Sequence, residues 1–303
     1  MPNSDAQRLV MEAKPYVLIT PCRDEADYIE GTIKAIIAQT MLPKKWVIVS
    51  DGSIDRTEEI VEQYAAKYDF IKLLCRSGDQ QRNFGSKVRA FNFGYEYLKD
   101  IKFDFVGSLD ADITMEATYY EDILSKFDAN DRLGIAGGLR YDLCDGKFRR
   151  THGARNSVGA AIQFFRRECY EKIGGYRPYR FGGIDAVAET MARMHGWEVE
   201  TFPEFKIYHY RTTGTAGGSL FKGNFRKGMQ HYVIGYHPLF QTASCVLHML
   251  SYPAITGSLA VMLGYFWAMS KRIEKVVPSE FIDYLRSEQL ARLRTFLLTG
   301  KEA

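Results

Sequence analysis

The chain has 303 residues, 46% hydrophobic and 25% charged, with a formal net charge of +3. Such a chain can bury a full core as one large α/β domain with an appendage. So small a charge makes no electrostatic case for nucleic acid. The five cysteines (Cys22, Cys75, Cys144, Cys169, Cys245) are scattered and form no Cys-x-x-Cys pair. That argues against a zinc site and predicts free thiols in a reducing compartment.

Residues 1–14 form an N-terminal extension with charges throughout and no apolar core, so they do not read as a secretory signal. Tyr16 to Thr20 is a β-rich run closed by Pro21. Asp27 and Glu30 have capping-box spacing, and Ile29, Ile33, Ile36 and Ile37 give the apolar face of the helix behind them. Trp46 to Val49 is a second buried strand. Asp55 and Glu58 predict another capping box, with Ile60, Val61 and Tyr64 continuing that helix. Phe70 to Leu74 is a third strand, and a helix follows from Ser86 to Leu98. Three strand–helix alternations predict a mostly parallel, doubly wound sheet.

A short strand, Phe103 to Val106, then leads into Gly107-Ser108-Leu109-Asp110-Ala111-Asp112. In open α/β sheets ligands bind beyond the carboxyl ends of the strands. Hard divalent cations take carboxylate oxygens together with phosphate oxygens. Asp110 and Asp112 therefore read as a metal clamp for a phosphorylated ligand, against the plainer reading of a solvated loop. At the earlier strand ends, Asp51 is either a turn residue before Gly52 or a hydrogen-bond acceptor for a base or ribose, and Asp55 reads as a helix cap.

Gly134 to Arg140 predicts another strand, and His152 to Gly159 a loop. Gly174-Gly175-Tyr176 is a tight turn or part of an acceptor surface. Asp185 opens a helix from Ala186 to His195, where it suits an N-cap. Trp197 to Thr201 and Phe205 to Arg211 read as two strands, and the Thr- and Gly-rich run to Gly218 as a loop able to close over a ligand. From Gly228 to Ser270 there is no Asp, Glu, Lys or Arg. The most apolar part, Ala254 to Met269, is shorter than the ~20 residues a membrane-spanning helix needs. Basic residues flank it on both sides: Lys222, Arg226 and Lys227 before, Lys271, Arg272 and Lys275 after. Positive flanks stay cytoplasmic, which predicts a re-entrant or in-plane hairpin. The competing readings are a buried helical pair and an oligomer interface. An amphipathic, Arg-rich helix from Phe281 to Leu298 closes the chain.

Four segments taken in order resemble glycosyltransferase family 2: Pro21-x-Arg23-Asp24-Glu25, then Ser50-Asp51-Gly52-Ser53-x-Asp55-x-Thr57, then Lys87 to Asn92, then Asp110-x-Asp112. The resemblance covers residues 15–215 and implies a GT-A fold catalytic domain, with 216–303 a helical, membrane-associating region. It implies an inverting transfer from a nucleotide-sugar donor, a UDP-sugar by family habit, with a divalent cation (Mn²⁺ or Mg²⁺). Thr20, Pro21 and Glu25 would line the nucleoside pocket and Asp51 would read the base. Lys87 and Arg82 would approach the nucleoside or diphosphate. Asp110 would sit by ribose and metal, with Asp112 the direct metal ligand. Asp185 falls where the family keeps its general base, with Glu189 one turn on as the alternate. His209 stands where many GT-A enzymes carry a late histidine near the metal, and Arg211 suits a phosphate. Two positions depart from the family: Ser50 and Ile184 replace acidic residues, which bears on nucleotide preference and on the base. The expected acceptor is a saccharide, lipid-linked, at the cytoplasmic face of a membrane, as in cell-surface polysaccharide synthesis. Two other classes remain open at this point. Asp110-Ala111-Asp112-Ile113-Thr114 also fits a haloacid-dehalogenase-like phosphatase, and the two departures fit a non-catalytic sugar-nucleotide binder.

Overall fold

The computed structural model describes residues 14–77, 84–151, 154–211, 220–247 and 254–299. Arg82, the N-terminal extension before Lys14, the Thr/Gly run after Arg211, and His248 to Pro253 lie outside them. The first half runs Tyr16–Cys22 (β1), Ile29–Ile37 (α1), Lys45–Asp51 (β2), Thr57–Ala65 (α2), Ile71–Arg76 (β3), Phe84–Leu98 (α3) and Phe105–Ser108 (β4). Ile113–Met115 (β5), Tyr119–Ala129 (α4), Leu133–Cys144 (β6), Lys147–Arg150 (β7), Phe164–Arg166 (β8), Arg167–Lys172 (α5), Ile184–Met194 (α6) and Glu198–His209 (β9) follow. Among the described residues four helices follow: Leu220–Ile234 (α7), Pro238–Leu247 (α8), Ala254–Ser270 (α9) and Ser279–Thr299 (α10).

The nine-stranded sheet has the order β3-β2-β1-β4-β8-β6-β9-β5, with β7 paired to β6. β1, β2, β3 and β4 are mutually parallel; the near-continuous apolar runs of β1, β2 and β4 are buried on both faces, as inner strands require, whereas β3 lies at the sheet edge with Lys72 and Cys75 exposed. The expectation of a mostly parallel sheet holds only for this half. β8 inserts antiparallel between β4 and β6, β5 is antiparallel to β9, and only β6 and β9 are parallel in the second half. The sheet is therefore mixed. Gly107 makes the β4–β8 contact close: a Cβ there would stand 2.6 Å from Leu18 Cδ2 and 2.9 Å from Phe164 Cδ2.

α1 buries Ile29, Ile33 and Ile36, the predicted stripe. Neither capping box forms. Glu30 bonds Tyr64 and Lys34 instead, and Glu58 accepts the Ser50 hydroxyl at 2.5 Å. Asp55 does serve the start of α2, accepting the Thr57 amide at 3.0 Å. The two strands predicted around Pro203 are one, β9. Its register to β6 slips between Gly138 and Leu139, so the backbone bulges past the proline. All five cysteines are free.

A second, smaller core of Tyr179, Val187, Val233, Ile234, Val277, Phe281 and Leu285 joins α6 to the C-terminal helices. α7 and α9 cross at two glycines: a Cβ on Gly228 would lie 1.9 Å from the Val261 carbonyl oxygen, and one on Gly264 1.9 Å from that of Phe225. Among the described residues no helix is long and apolar enough to cross a membrane.

Candidate active site

The loops after β1 and β2 are stitched together by the residues that gave the sequence its pattern. Asp24, in the left-handed region at φ 54°, accepts the Ile54 amide at 2.8 Å. The Glu25 amide donates to Thr57 Oγ1 at 2.7 Å, and the Ala26 amide to Asp55 at 2.9 Å. Much of the Arg-Asp-Glu and Ser-x-Asp-x-Thr signal is thus frame, which holds two strand ends in fixed relation. Within that frame Asp51 is buried and ion-paired with Arg76 from β3. Glu25, also buried, forms a two-point pair with Arg211. Pro21 is half-buried at the tip of β1. Thr20 is fully buried and its hydroxyl accepts the Trp46 indole N–H at 2.9 Å, so it supports the strand end from beneath and offers a ligand no side chain.

The Asp110–Asp112 turn follows β4. Lys87 reaches from α3 to Asp110 at 2.5 Å. Asp112 is 7% exposed and lies 3.4 Å from His209 Nε2 and 3.6 Å from Arg211 Nε. His209 Nδ1 stands 3.0 Å from Asp142 Oδ1, and Arg140 Nε 2.8 Å from the same oxygen. Strand register produces this arrangement: His209 on β9 pairs with Asp142 on β6 to one side and with Ile113 on β5 to the other. Burial works to raise the Asp112 carboxyl, but the His209 bond and charge, with Arg211 and Lys87 beyond, outweigh it and hold it below the ordinary carboxylate range. For His209 burial works downward, and Asp112 and Asp142 overcome it, lifting the imidazolium to about 9. Thr32, fully buried on α1, clamps the turn from behind. Its hydroxyl donates to the Ala111 carbonyl at 2.7 Å and accepts the Ile113 amide at 3.1 Å.

Asp185 and Glu189 occupy one stripe of α6. Gly183, at φ 89°, is the N-cap, not Asp185, which sits in the first turn, half-buried, its Oδ1 2.9 Å from the Ala186 amide. Glu189 is 3% exposed and accepts the Val158 amide at 2.7 Å and Gln163 Nε2 at 3.1 Å. Burial, reinforced by the Asp185 charge, pushes its carboxyl up to about 8. Of the two, Asp185 is the carboxylate that solvent reaches. Gly174 and Gly175 take positive φ and make a tight turn, and Tyr176 is buried behind it.

The fold thus brings Asp112, His209, Arg211 and Glu25 together, sets Lys87 with Asp110, and pairs Asp51 with Arg76. Among the described residues no three His, Cys, Asp or Glu side chains form a ready metal cage. The donor set nevertheless fits a cation that completes its shell with phosphate oxygens. Asp112 supplies carboxylate oxygen, and His209 supplies Nε2 while Nδ1 faces a carboxylate, the arrangement metal-ligating histidines adopt. Sequence reasoning missed Asp142, Arg76 and Thr32. Nothing local marks them, because each acts through a partner 25 to 81 residues away.

An α/β sheet of this order with its acidic and basic side chains gathered at the strand ends is the GT-A-like fold of glycosyltransferases. Solved structures of similar fold include the mannosyltransferase PcManGT from Pyrobaculum calidifontis in complex with GDP-Man and Mn²⁺ (TM-score 0.55, 17% identity, 96% of this chain and 89% of that one). Staphylococcus aureus TarS in complex with UDP-GlcNAc is another (TM-score 0.54, 14% identity, 94% and 86% covered). The profile of Glycosyl transferase family 2 matches residues 17–187, and the chain belongs to that family. The family assignment sets aside the phosphatase alternative. Among characterised proteins, poly-beta-1,6-N-acetyl-D-glucosamine synthase of Staphylococcus aureus is 27% identical over 220 residues, 64% of this chain and 49% of that protein. The Staphylococcus epidermidis enzyme of the same name is 22% identical over 263 residues, 78% and 60% of the two chains. The chain thus spans about half the length of the first of these relatives.

Proposed function

We propose that this chain transfers a sugar from a nucleotide diphospho-sugar to a saccharide hydroxyl, with inversion at the anomeric carbon, beside a membrane surface. The observation that carries the reading is the set of charge pairs at the strand ends, with Asp51, Asp112 and His209 buried and their partners half-buried: Asp51 with Arg76, Asp110 with Lys87, and Asp112 with His209 and Arg211. A nucleoside diphosphate offers the groups these side chains recognise, namely a base edge, a ribose and a diphosphate. A UDP-sugar is the favoured donor, because TarS was solved with UDP-GlcNAc and the staphylococcal relatives are named for a polymer of N-acetylglucosamine. PcManGT, solved with GDP-Man, makes GDP the control.

Asp112 and His209 would hold a divalent cation, Mn²⁺ or Mg²⁺, whose chemistry is to neutralise the departing diphosphate. To ligate, His209 would release its Nε2 proton, leaving neutral imidazole with Nδ1 toward Asp142. Lys87 and Arg211 add fixed positive charge for the diphosphate. Asp185 accepts the proton of the acceptor hydroxyl as that oxygen attacks the sugar carbon from the face opposite the nucleotide. Calorimetric titration with UDP and with GDP, each with and without Mn²⁺, tests this on wild type and on Asp112→Ala. Metal-dependent binding of one nucleotide, lost in the variant, is the expected result. No binding of either nucleotide refutes the reading, and binding without any turnover favours a non-catalytic binder.

The membrane part rests on the C-terminal helices. Leu239, Val246, Leu259, Leu263 and Trp267 are 65%, 56%, 45%, 48% and 43% exposed on α8 and α9. Lys222 and Lys227 on α7, and Lys271 and Arg272 just after α9, are exposed. An apolar face with basic neighbours suits the headgroup layer of an anionic bilayer, which supports the reading of a lipid-linked acceptor at the cytoplasmic face. Flotation with phosphatidylglycerol vesicles, and a blue shift of tryptophan emission absent from Trp267→Phe, is the expected outcome. A stable dimer that ignores vesicles would assign the face to a second copy of the chain.

A further inference from the structure

A cavity of about 140 Å³ lies where α6 meets the C-terminal helices. Ser157, Glu189, Tyr236, Phe240, Gln289 and Arg292 are among the residues that line it. The walls therefore come from both parts of the molecule, from α6 and the loop before β8 on one side and from α8, α10 and the α7–α8 turn on the other. Pockets at such junctions are where small ligands bind most often.

The chemistry of the walls is mixed in a particular way. Tyr236 and Phe240 meet edge to face, their ring centres 6.2 Å apart at 65°, and so form an apolar corner. The far side of Tyr236 is fixed by His231, stacked at 4.3 Å and 10°. Gln289 accepts the His237 amide at 2.8 Å, which ties the α7–α8 turn to α10. Arg193 is held by Glu288 at 2.8 Å, so that pair carries no net charge, and the Arg292 guanidinium adds further N–H donors to the lining. Glu189 is nearly neutral near pH 7 because of its burial, and an uncharged acid both donates and accepts. An aromatic corner for C–H groups, facing an acid, an amide and a hydroxyl, is a surface for an uncharged polyol ring. The volume is well below the several hundred Å³ of a pocket for a nucleotide or a drug-sized molecule, so it admits one ring and no more.

The location ties the cavity to the reaction. Glu189 follows Asp185 by one helical turn on the same stripe of α6. The charge of Asp185 is felt at both Glu189 and Tyr236. The geometry points to this cavity as a subsite for a single uncharged sugar ring of the acceptor, walled in part by the C-terminal helices. The inference rests on the transferase reading and adds to it a place and a substrate class. The C-terminal helices then belong to the acceptor site as well as to the membrane-facing surface.

Saturation-transfer NMR on the full chain, with N-acetylglucosamine and with mannose as probes, reads the cavity without requiring turnover. Transfer to the ring protons of one of the two sugars is expected. It should vanish in Phe240→Trp, which fills the space, and Phe240→Ala should bind about tenfold more weakly. UDP and GDP affinities should stay unchanged in both variants. Should either variant fail to melt cooperatively, Ser157→Leu fills the cavity from the opposite wall. Absence of ring-proton transfer from both sugars, or transfer undiminished in the filled variants, overturns the subsite. Nucleotide titration of the same samples separates the two ideas: a chain that binds nucleotide but neither sugar loses the subsite alone, and a chain that binds neither loses the transferase reading too.

Discussion

Replacing Thr32 by valine removes one oxygen atom from a fully buried position and leaves the shape almost unchanged. That oxygen makes two hydrogen bonds, to the Ala111 carbonyl at 2.7 Å and from the Ile113 amide at 3.1 Å. Both backbone groups flank Asp112, and in Thr32→Val both lose this buried partner. A buried polar group left unsatisfied costs about 1–3 kcal/mol, so two predict a loss of about 2–6 kcal/mol of stability. Thr32→Ser keeps the hydroxyl and loses one methyl group, for about 1 kcal/mol. Urea denaturation measures both losses. The functional readout is separate: the turn can relieve the unsatisfied groups by moving, and any movement displaces Asp112. Metal-dependent UDP affinity should therefore drop tenfold or more in Thr32→Val, about 1.4 kcal/mol, and stay near wild type in Thr32→Ser. Equal destabilisation by the two substitutions, with UDP affinity intact in both, would refute the claim that the hydroxyl positions the turn.

Two further outcomes are expected. Asp185→Asn should abolish sugar transfer while UDP binding by calorimetry is retained, and near-wild-type turnover would remove Asp185 as the base. Glu189 makes stability depend on pH with a definite sign. Its folded value of about 8 lies above the ordinary 4.5, so its contribution is fully present below pH 4.5 and is lost as pH rises through 8. The slope is at most about 1.4 kcal/mol per pH unit. Urea midpoints at pH 5, 6.5 and 8 should fall along that series in wild type and flatten in Glu189→Gln, whereas parallel curves would contradict the assignment.

The first half of the fold was legible in the sequence because parallel strands buried on both faces leave apolar runs that stand out, as Tyr16 to Thr20 and Trp46 to Val49 do. Strand ends were legible for the same reason, and with them Asp51, Asp110 and Asp112. What followed β4 was less so. β8 is three residues long, and its antiparallel insertion depends on Gly107 leaving room for Phe164, a relation between distant residues that no local pattern carries. Trp197 to Thr201 and Phe205 to Arg211 read as separate segments, yet a bulge carries one long β9 from the first into the second. The second half of the site failed to appear for a related reason. Asp142 lies in a strand with no motif around it, and only the register of β6 against β9 sets it beside His209. Capping boxes misled because the acids at Glu30 and Glu58 found partners in tertiary contacts, where a tyrosine and a serine hydroxyl displaced the backbone amides.

The glycine crossing of α7 and α9 has a mechanical meaning. Side chains between two helices act as a compliant layer that absorbs a push by changing rotamer. Here the backbones meet at Gly228 and Gly264, and that layer is absent at the crossing. A load on the exposed Leu259–Trp267 face therefore passes to α7 with little loss. α7 in turn presses Gln230 and Ile234 against Gly183, where an added Cβ would stand 2.5 Å from Gln230 Nε2 and 2.6 Å from Ile234 Cδ1. Gly183 is the cap on which α6, and so Asp185, begins. Close contacts thus run from the exposed Leu259–Trp267 face through α7 to the turn that carries Asp185.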